Sequence, residues 1–317
     1  MSTSFAIIGT GALGGLYGGL LSKAGNDVHF LVRSDFDTIQ SDGLEIRSPI
    51  CNFRLQHPQI YRDSSQMPKV DIAIVAWKTI SNDGLASVLG DLCHDGTVVL
   101  VLQNGLDSEA AAAEVVGADR VLGGCCFLCS NKIAPGVIHH LDYGMITFGE
   151  YAKEKVGAPT ERMQEMLAIF HHAQIEMVAV ENLRKARWKK LAWNIPFNGL
   201  NVVLDANTDK IMQDPGTRRL AEDLMWEVRN AAAADGAAFE KDHVPKLLAA
   251  TAKMVPYASS MYLDYQERRP LEVEAIVGEP LRSAQRNGYE PPKTSMLYQQ
   301  LKFLDESRRS TPKPSTH

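Results

Sequence analysis

The chain has 317 residues, of which 45% are hydrophobic and 22% charged, and it carries a formal net charge of -5. This length suffices for two domains with their own cores, and the negative charge excludes a general electrostatic attraction to nucleic acid or to an anionic membrane. No apolar run approaches the ~20 residues of a membrane span, and the first predicted strand leaves no room for a signal peptide. We therefore expect a cytoplasmic protein.

The N-terminal segment predicts a strand, a glycine-rich turn and a helix. Residues 5–8 are consecutive apolar residues, which is typical of a strand buried on both faces. A G-x-G-x-x-G pattern follows, made of Gly9, Thr10, Gly11, Ala12, Leu13 and Gly14. In a dinucleotide-binding unit these glycines allow a sharp turn, a close approach of the backbone to a pyrophosphate, and close packing of helix on strand. The alternative is a tight turn that binds nothing.

The end of the second predicted strand indicates which dinucleotide is bound. NAD-binding units usually place an acidic residue there, about 20 residues after the glycines, to accept from the ribose 2′-hydroxyl. This chain has Arg33 and Ser34 at that point. A guanidinium and a hydroxyl suit a 2′-phosphate, which a carboxylate would repel. The sequence therefore predicts NADP(H) as the cofactor, although Asp35 and Asp37 lie close by.

Strand and helix patterns alternate through the first half of the chain, whereas helical patterns dominate after Glu181. The alternation predicts an α/β fold with a Rossmann-type, doubly wound parallel sheet, followed by an all-helical C-terminal domain. After a strand at 120–127, we expect an antiparallel hairpin of strands 137–141 and 145–149, joined through Asp142, Tyr143 and Gly144. The predicted segments are an NADP-binding domain at 1–180, a helical substrate and catalytic domain at 181–307, and a disordered tail at 308–317.

Five cysteines are present, and Cys126 and Cys129 have C-x-x-C spacing. No second cysteine pair or spaced histidine pair completes a zinc-binding pattern, so the sequence predicts no metal site. Buried thiols that behave as small hydrophobic groups are the favoured interpretation.

Three polar residues follow predicted strands, namely Arg33, Lys78 and Asn104. Ligands of open α/β sheets bind beyond the carboxyl ends of the strands. We therefore expect Lys78 to contact the 2′-phosphate or the adenosine end of the cofactor, and Asn104 to reach the nicotinamide side. Solvated residues at strand exits are the alternative interpretation.

A second group of polar residues lies on one predicted helix. Lys190, Asn194 and Asn198 are spaced four residues apart and share a helix face, although Pro196 could kink that helix. Asparagine forms helices poorly, so two of them on an otherwise apolar helix suggest a function. A lysine among apolar side chains suits a proton donor, because desolvation lowers its pKa. A solvated stripe with helix-capping amides is the alternative.

A third group comprises Ser259, Ser260 and Glu272 in the last part of the chain. Either serine could be a helix N-cap, and Glu272 stands just after a proline at a helix start, where a carboxylate is stabilised by the dipole. These structural explanations and a role in a binding site both remain open at this point.

Together these segments resemble the ketopantoate reductase (2-dehydropantoate 2-reductase) family over nearly the whole chain. The family combines the glycine turn, a strand that ends in lysine, an Asn-Gly pair, a central Lys-x-x-x-Asn-x-x-x-Asn, and a late Ser-Ser-Met with a following glutamate. Beyond the glycines, these features fall on Lys78, Asn104, Lys190, Asn194, Asn198, Ser260 and Glu272.

The resemblance implies that NADPH delivers a hydride to the ketone carbon of a 2-oxo acid, 2-dehydropantoate, in pantothenate and coenzyme A synthesis. Lys190 would then be the general acid that protonates the developing alkoxide. Glu272 would orient Lys190, the nicotinamide ribose or the substrate hydroxyl.

The resemblance also assigns binding roles. Asn194 and Asn198 would bind the 4-hydroxyl of the substrate, and Ser260 its carboxylate. Asn104 would bridge cofactor and substrate, and Ser130 would contact the cofactor near the nicotinamide. The active site would lie in the cleft between the two domains.

The chain departs from the family pattern at Tyr257, where a substrate-binding asparagine is expected, and the alignment is uncertain near Asn207 and Thr208. One alternative is therefore an NADP-dependent reductase of a different 2-oxo or 3-hydroxy acid. Another is a non-catalytic NADP-binding sensor. A homodimer through the helical domain is compatible with the sequence but does not follow from it.

Overall fold

The computed structural model describes residues 3–309. Its contacts define two compact units. The first runs from the start of the described chain to Asn104 and continues with Ser108–Leu183. The second consists of Gly105–Asp107 and of the chain from Arg184 onward.

A ten-stranded sheet organises the first unit. Its strands are β1 (Ser4–Ile8), β2 (Asp27–Leu31), β3 (Leu44–Arg47), β4 (Phe53–Leu55), β5 (Gln59–Tyr61), β6 (Val70–Val75), β7 (Cys93–Val101), β8 (Val121–Ala134), β9 (Val137–Glu150) and β10 (Met177–Ala179). They lie in the order β4-β3-β9-β8-β7-β6-β1-β2-β5, and β10 pairs with β9. From β5 to β8 every neighbouring pair is parallel, as the doubly wound prediction requires.

The central strands of the sheet are buried on both faces, which explains the uninterrupted apolar runs in them. Along β1, Phe5 and Ile7 pack into one hydrophobic cluster, whereas Ala6 and Ile8 pack into a second one. All four are fully buried. The strand order reverses direction at β1, which has β2 on one side and β6 on the other. Such a reversal opens a crevice beyond the carboxyl ends of the strands, where this fold binds its ligands.

The first unit has five α-helices, namely α1 (Ala12–Lys23), α2 (Phe36–Asp42), α3 (Leu85–Leu92), α4 (Ala110–Val116) and α5 (Glu161–His172). Short 3₁₀ turns occur at Ser64–Gln66, Thr79–Gly84, Ala118–Arg120 and Lys153–Lys155. Helix α1 follows the glycine turn directly, and it packs its apolar side onto the cluster that contains Phe5.

The predicted hairpin within residues 137–149 is wrong. β9 is one continuous strand, and it pairs antiparallel with β8, which itself extends to Ala134 rather than ending at residue 127. The chain reverses at Pro135 and Gly136. Tyr143 and Gly144 do adopt positive φ values, of 60° and 128°, but they lie where the pairing with β8 shifts register. The turn-like sequence therefore forms an irregularity inside the strand.

The second unit is helical. It contains α6 (Leu183–Leu204), which starts at the boundary, then α7 (Thr208–Gln213), α8 (Pro215–Ala234), α9 (His243–Thr251), α10 (Ser260–Gln266), α11 (Glu279–Arg286) and α12 (Pro292–Arg309). A π-helical turn, Glu274–Gly278, leads directly into α11. Helix α6 runs through Pro196 and places Trp188, Leu191 and Ile195 in the core of this unit.

Helix α12 takes in residues 308 and 309 of the segment predicted as a tail, and 310–317 lie outside the described residues. Within residues 3–309, none of the helices combines the length and the apolar character that crossing a bilayer requires.

Candidate active site

The three glycines of the N-terminal turn have the separate roles that a dinucleotide site requires. Gly9 has a φ of 104°, and a side chain there would lie 2.6 Å from Trp77. A side chain at Gly14 would lie 2.2 Å from the carbonyl oxygen of Gly9, so this glycine allows α1 to approach β1 closely. A Cβ at Gly11, by contrast, would meet no atom within 4 Å. Open space at the second glycine fits a pyrophosphate beside the backbone.

The amino end of α1 faces the same turn. Gly11 is the N-cap residue, and no side chain caps the helix there. The first backbone amides of the helix and its dipole are therefore available to an anion. Ser130 lies inside β8, and its hydroxyl donates to the carbonyl oxygen of Ala12 at 3.3 Å. The predicted cofactor contact at Ser130 is thus placed beside the first turn of α1.

A pocket opens next to the glycine turn, at the ends of β1 and β2. Gly9, Thr10 and Gly11 form one wall. The remaining walls include Arg33, Ser34, Asp35, Trp77 and Lys132. The pocket thus joins the glycine turn to the predicted 2′-phosphate residue Arg33.

Arg33 is held against an aromatic ring. Its guanidinium carbon Cζ lies 5.2 Å from the centroid of the Trp77 ring, within the range of a cation–π interaction. Trp77 is fixed in turn, because its Nε1 donates to Oδ1 of Asn82 at 3.1 Å. The buried Gln103 donates to the same Asn82 oxygen at 2.7 Å and to the carbonyl oxygen of Trp77 at 3.1 Å.

Asp35 is buried at the rim of this pocket, with 4% of its surface exposed. Its Oδ1 accepts from Nζ of Lys132 at 2.8 Å and from Oγ of Ser34 at 2.7 Å, and its Oδ2 accepts from the amide of Gly136 at 3.2 Å. Burial raises the pKa of the Asp35 carboxyl, but these hydrogen bonds and the charge of Lys132 outweigh it and bring the pKa below its ordinary value. Asp35 is therefore an ionised carboxylate that accepts three hydrogen bonds.

The other strand-exit residues follow the carboxyl ends of the same parallel strands. Lys78 comes three residues after β6 and caps the 3₁₀ turn Thr79–Gly84. Asn104 comes three residues after β7 and is half-buried. Because β2, β6 and β7 are parallel, Arg33, Lys78 and Asn104 emerge at one edge of the sheet, as predicted.

In the second unit, α6 presents the predicted polar face. Asn194 and Asn198 are buried, with 7% and 2% of their surfaces exposed, and Lys190 is half-buried. A buried amide carries two donors and an acceptor that need partners, so this face suits a ligand with hydroxyl or carbonyl oxygens.

The adjacent lysine has a different role. Lys189 bonds to Glu240 at 2.8 Å, and Lys185 bonds to the same carboxylate at 2.9 Å. The hydrogen bond from Lys189, helped by the backbone of Glu240 and by Lys185, lowers the pKa of Glu240 to about 2. Lys189 thus belongs to an ion pair, whereas Lys190 belongs to the asparagine face.

The two late serines differ in position. Ser259 is fully buried and caps α10 by accepting from the amide of Tyr262 at 3.4 Å, so it is the N-cap. Ser260 is the exposed first residue of that helix. Glu272 is buried, and its carbonyl oxygen accepts from the amide of Ile276 where the π-helical turn begins. Such π-turns often occur at functional sites.

Tyr257, where the chain departs from the family pattern, contacts Thr208. The amide of Thr208 donates to the carbonyl oxygen of Tyr257, and Oγ1 of Thr208 accepts from the amide of Tyr257, both at 3.2 Å. The Tyr257 ring lies 6.2 Å from that of Trp193, which neighbours Asn194 on α6. The Tyr257 ring therefore packs beside the aromatic residue that directly precedes Asn194 in α6.

The structure brings the glycine turn and Arg33 together in one pocket, and it places Lys190, Asn194 and Asn198 on one face. Trp77 and Lys132 also line this pocket, and neither is among the residues predicted from the sequence. Trp77 directly precedes Lys78 at a strand exit, which could have indicated it. No pattern in the neighbouring sequence indicates Lys132, because its partner Asp35 is 97 positions away. Among the described residues, no cluster of three histidine, cysteine or acidic side chains is arranged to hold a metal ion.

Both halves of the chain match known family models. Residues 5–153 match the family model described as Ketopantoate reductase PanE/ApbA, and residues 182–305 match its C-terminal counterpart. A 2-dehydropantoate 2-reductase from Nostoc sp. is 49% identical over 308 residues, which cover 96% of each chain.

Solved structures agree with this assignment. A 2-dehydropantoate 2-reductase from Geobacter metallireducens superposes with a TM-score of 0.91 at 39% identity, covering 95% of this chain and 99% of that one. A D-mandelate dehydrogenase, solved with NADH and anilino(oxo)acetate, superposes with a TM-score of 0.87 over 97% of this chain and 100% of its own. At 19% identity it shows a shared fold alone. The two family models and the relatives together establish that this chain belongs to the ketopantoate reductase family.

Proposed function

We propose that this chain catalyses the NADPH-dependent reduction of 2-dehydropantoate to pantoate, a step of pantothenate and coenzyme A synthesis. The observation that carries the proposal is the face of α6, where half-buried Lys190 is followed by buried Asn194 and Asn198. A protein that only bound the cofactor would need the glycine turn and Arg33, but not this face.

A nicotinamide dinucleotide is the cofactor of a reductase of this family, and the residues present fit it. The open space beside Gly11 and the uncapped start of α1 suit the diphosphate. NADPH is proposed over NADH because Arg33 lines the pocket and the nearby carboxylate of Asp35 already accepts three hydrogen bonds. When bound, the reduced nicotinamide supplies the hydride. Lys78, Asn104 and Ser130 are the further cofactor contacts that we propose.

Lys190 is proposed as the general acid. Reduction of a ketone places negative charge on its oxygen, and an ammonium group both stabilises that charge and donates the proton. Glu272 is proposed as the carboxylate that orients Lys190, the nicotinamide ribose or the substrate hydroxyl. Its burial suits this role, because a buried carboxylate is held in one orientation by its partners.

The substrate is proposed to bind through oxygen atoms. Asn194 and Asn198 would bond the 4-hydroxyl, Ser260 the carboxylate, and Asn104 would bridge substrate and cofactor. Ser260 offers its hydroxyl at the first turn of α10, where the backbone amides also favour a negative charge.

Tyr257 supports a second candidate, a reductase of a different 2-oxo acid. Its ring lies near that of Trp193, at the position where the family pattern has a hydroxyl-binding asparagine. Loss of such an amide changes discrimination between close substrates, because hydrogen-bonding sites select strongly for the matching hydroxyl. The homodimer and the cytoplasmic location stay predictions, and light scattering on the purified chain tests the first.

The test of the proposed function is steady-state oxidation of NADPH with 2-dehydropantoate, run beside a panel of other 2-oxo acids and with NADH in parallel. We expect saturable turnover that is fastest with 2-dehydropantoate and NADPH. Turnover of another acid alone would favour the second candidate, and cofactor binding without any turnover would favour a sensor.

A further inference from the structure

Asp35 lies close to the point where NAD-binding units place the carboxylate that binds the ribose 2′-hydroxyl, yet its oxygens have other partners here. Both of its oxygens accept hydrogen bonds from the protein, from Ser34, Lys132 and Gly136. The carboxylate side chain is 6% exposed, whereas that of Lys132 is 36% exposed. The ammonium group, not the carboxylate, is therefore the more accessible member of the pair.

Two of the three partners of Asp35, Lys132 and Gly136, come from one structural element. Lys132 lies near the end of β8, and Gly136 lies in the two-residue turn that joins β8 to β9. Gly136 has a φ of 69°, and its carbonyl oxygen accepts from the amide of Glu45 at 2.9 Å. The turn is thus fixed on both sides, which holds Lys132 at the edge of the pocket that contains Arg33.

We infer that Lys132 is a second cation for the 2′-phosphate of NADPH, and that Asp35 is a positioning residue that holds it there. An ammonium carries three donors, and the bond to Asp35 uses one of them. Arg33 and Lys132 line the same pocket beside the glycine turn, so a phosphate there would meet two cationic side chains, of which Lys132 is also paired with Asp35. This inference rests on the proposed use of NADPH.

The arrangement also explains how an acidic residue can stand beside a phosphate subsite. The charge of Asp35 is balanced by that of Lys132, and its oxygens have no need of the ribose hydroxyl. If Lys132 loses its charge, the carboxylate becomes an unbalanced negative group in the pocket. It then repels a 2′-phosphate and becomes a candidate acceptor for a 2′-hydroxyl.

The test compares dissociation constants for NADPH and NADH, measured by fluorescence titration of the intact protein. Lys132→Gln should weaken NADPH binding about tenfold and change NADH binding less than about threefold, as expected for loss of one charged phosphate contact. Lys132→Arg keeps the charge and should retain most of the preference. The control is Lys153→Gln, an exposed lysine outside the pocket, which should leave both constants unchanged.

The double variant Asp35→Asn with Lys132→Gln covers the case in which the unpaired carboxylate prevents folding of the single variant. It removes both charges, and its preference for NADPH should still be lower than that of the wild type. An unchanged NADPH to NADH ratio in both Lys132→Gln and the double variant would overturn the inference while leaving the proposed function intact. A wild-type protein that binds neither nucleotide would instead contradict the proposed function itself.

Discussion

The guanidinium of Arg33 lies over the ring of Trp77, with Cζ 5.2 Å from the ring centroid. The ring is fixed because Nε1 of Trp77 donates to Oδ1 of Asn82, which also accepts from the buried Gln103. Residues after three different strands, β2, β6 and β7, thus combine to fix one cationic group at the mouth of the pocket.

Replacing Trp77 with leucine should weaken NADPH binding without abolishing it. A cation–π contact at a partly exposed site contributes about 0.5–1 kcal/mol, so we expect a loss of about two- to fivefold in affinity. Titration of NADPH and NADH measures it, and the loss should be larger for NADPH. Because Trp77 is buried, with 9% of its surface exposed, its replacement could also lower stability, so the melting temperature of the variant should be recorded as well. Equal losses of affinity for the two nucleotides would contradict the proposal that Trp77 acts by positioning Arg33.

The glycine turn predicts opposite effects for two substitutions. Gly11→Ala should keep the melting temperature, because its φ is -90° and its Cβ meets no atom within 4 Å, but it should weaken cofactor binding by filling the space for the diphosphate. Gly14→Ala should lower stability, because its Cβ would lie 2.2 Å from the carbonyl oxygen of Gly9. Thermal unfolding with and without NADPH separates the two effects. Unimpaired NADPH binding by Gly11→Ala would place the diphosphate elsewhere.

Asp235 predicts a pH dependence of stability in the helical unit. Its carboxylate accepts from Arg184, from Nε1 of Trp188 at 2.7 Å and from Oγ of Ser283 at 3.1 Å. Burial raises the pKa of Asp235, but the bonds from Arg184, Trp188 and Ser283 and the charge of Arg184 bring it below the ordinary value of 3.8. A carboxyl whose pKa is lowered by folding stabilises the protein above its unfolded pKa, and this contribution is lost as the pH falls through the folded pKa.

Asp235→Asn should therefore lower the free energy of unfolding by about 2 kcal/mol at neutral pH, and the difference from wild type should shrink below about pH 4. Urea unfolding followed by tryptophan fluorescence measures it. The control is Asp242→Asn, an exposed carboxylate paired with Lys246, which should change the free energy of unfolding much less than Asp235→Asn does. A difference that is independent of pH would show that the charge of Asp235 does not stabilise the fold.

Tyr257 is expected to influence the choice of substrate rather than the chemistry. Tyr257→Asn places an amide where the family pattern has one, beside Trp193 of α6. We expect the specificity constant for 2-dehydropantoate to rise relative to 2-oxo acids that lack a hydroxyl, since a matched hydrogen bond discriminates by about tenfold or more. The assay is the ratio of kcat/KM values across the substrate panel. An unchanged ratio would remove Tyr257 from the substrate site.

Much of this fold could be predicted from local patterns. The buried runs in β1, β6 and β7, the glycine turn and the helical second half each follow from spacing within one segment. The face of α6 could also be predicted, because residues four apart on a helix share a face whatever surrounds them.

The errors arose where tertiary contacts override local signals. Asp142, Tyr143 and Gly144 have turn-forming character, but the long pairing of β9 with β8 keeps them inside a strand, and the reversal occurs at Gly136 instead. The pairing of Asp35 with Lys132 depends on how far β8 continues along β9 beyond its pairing with β7, and no short-range pattern encodes that. The sequence also predicts a phosphate contact for the Ser34 hydroxyl, whereas in the structure this hydroxyl donates to Asp35.

The most direct test of the account compares two adjacent lysines of α6. Lys190→Ala should lower kcat with 2-dehydropantoate by about 100-fold or more while the dissociation constant of NADPH stays within about twofold, as expected for loss of a general acid. Lys189→Ala is the matched control, because Lys189 pairs with Glu240, and it should keep both values near wild type. If Lys190→Ala reduced 2-dehydropantoate as fast as the wild type, the face of α6 would not be the catalytic one.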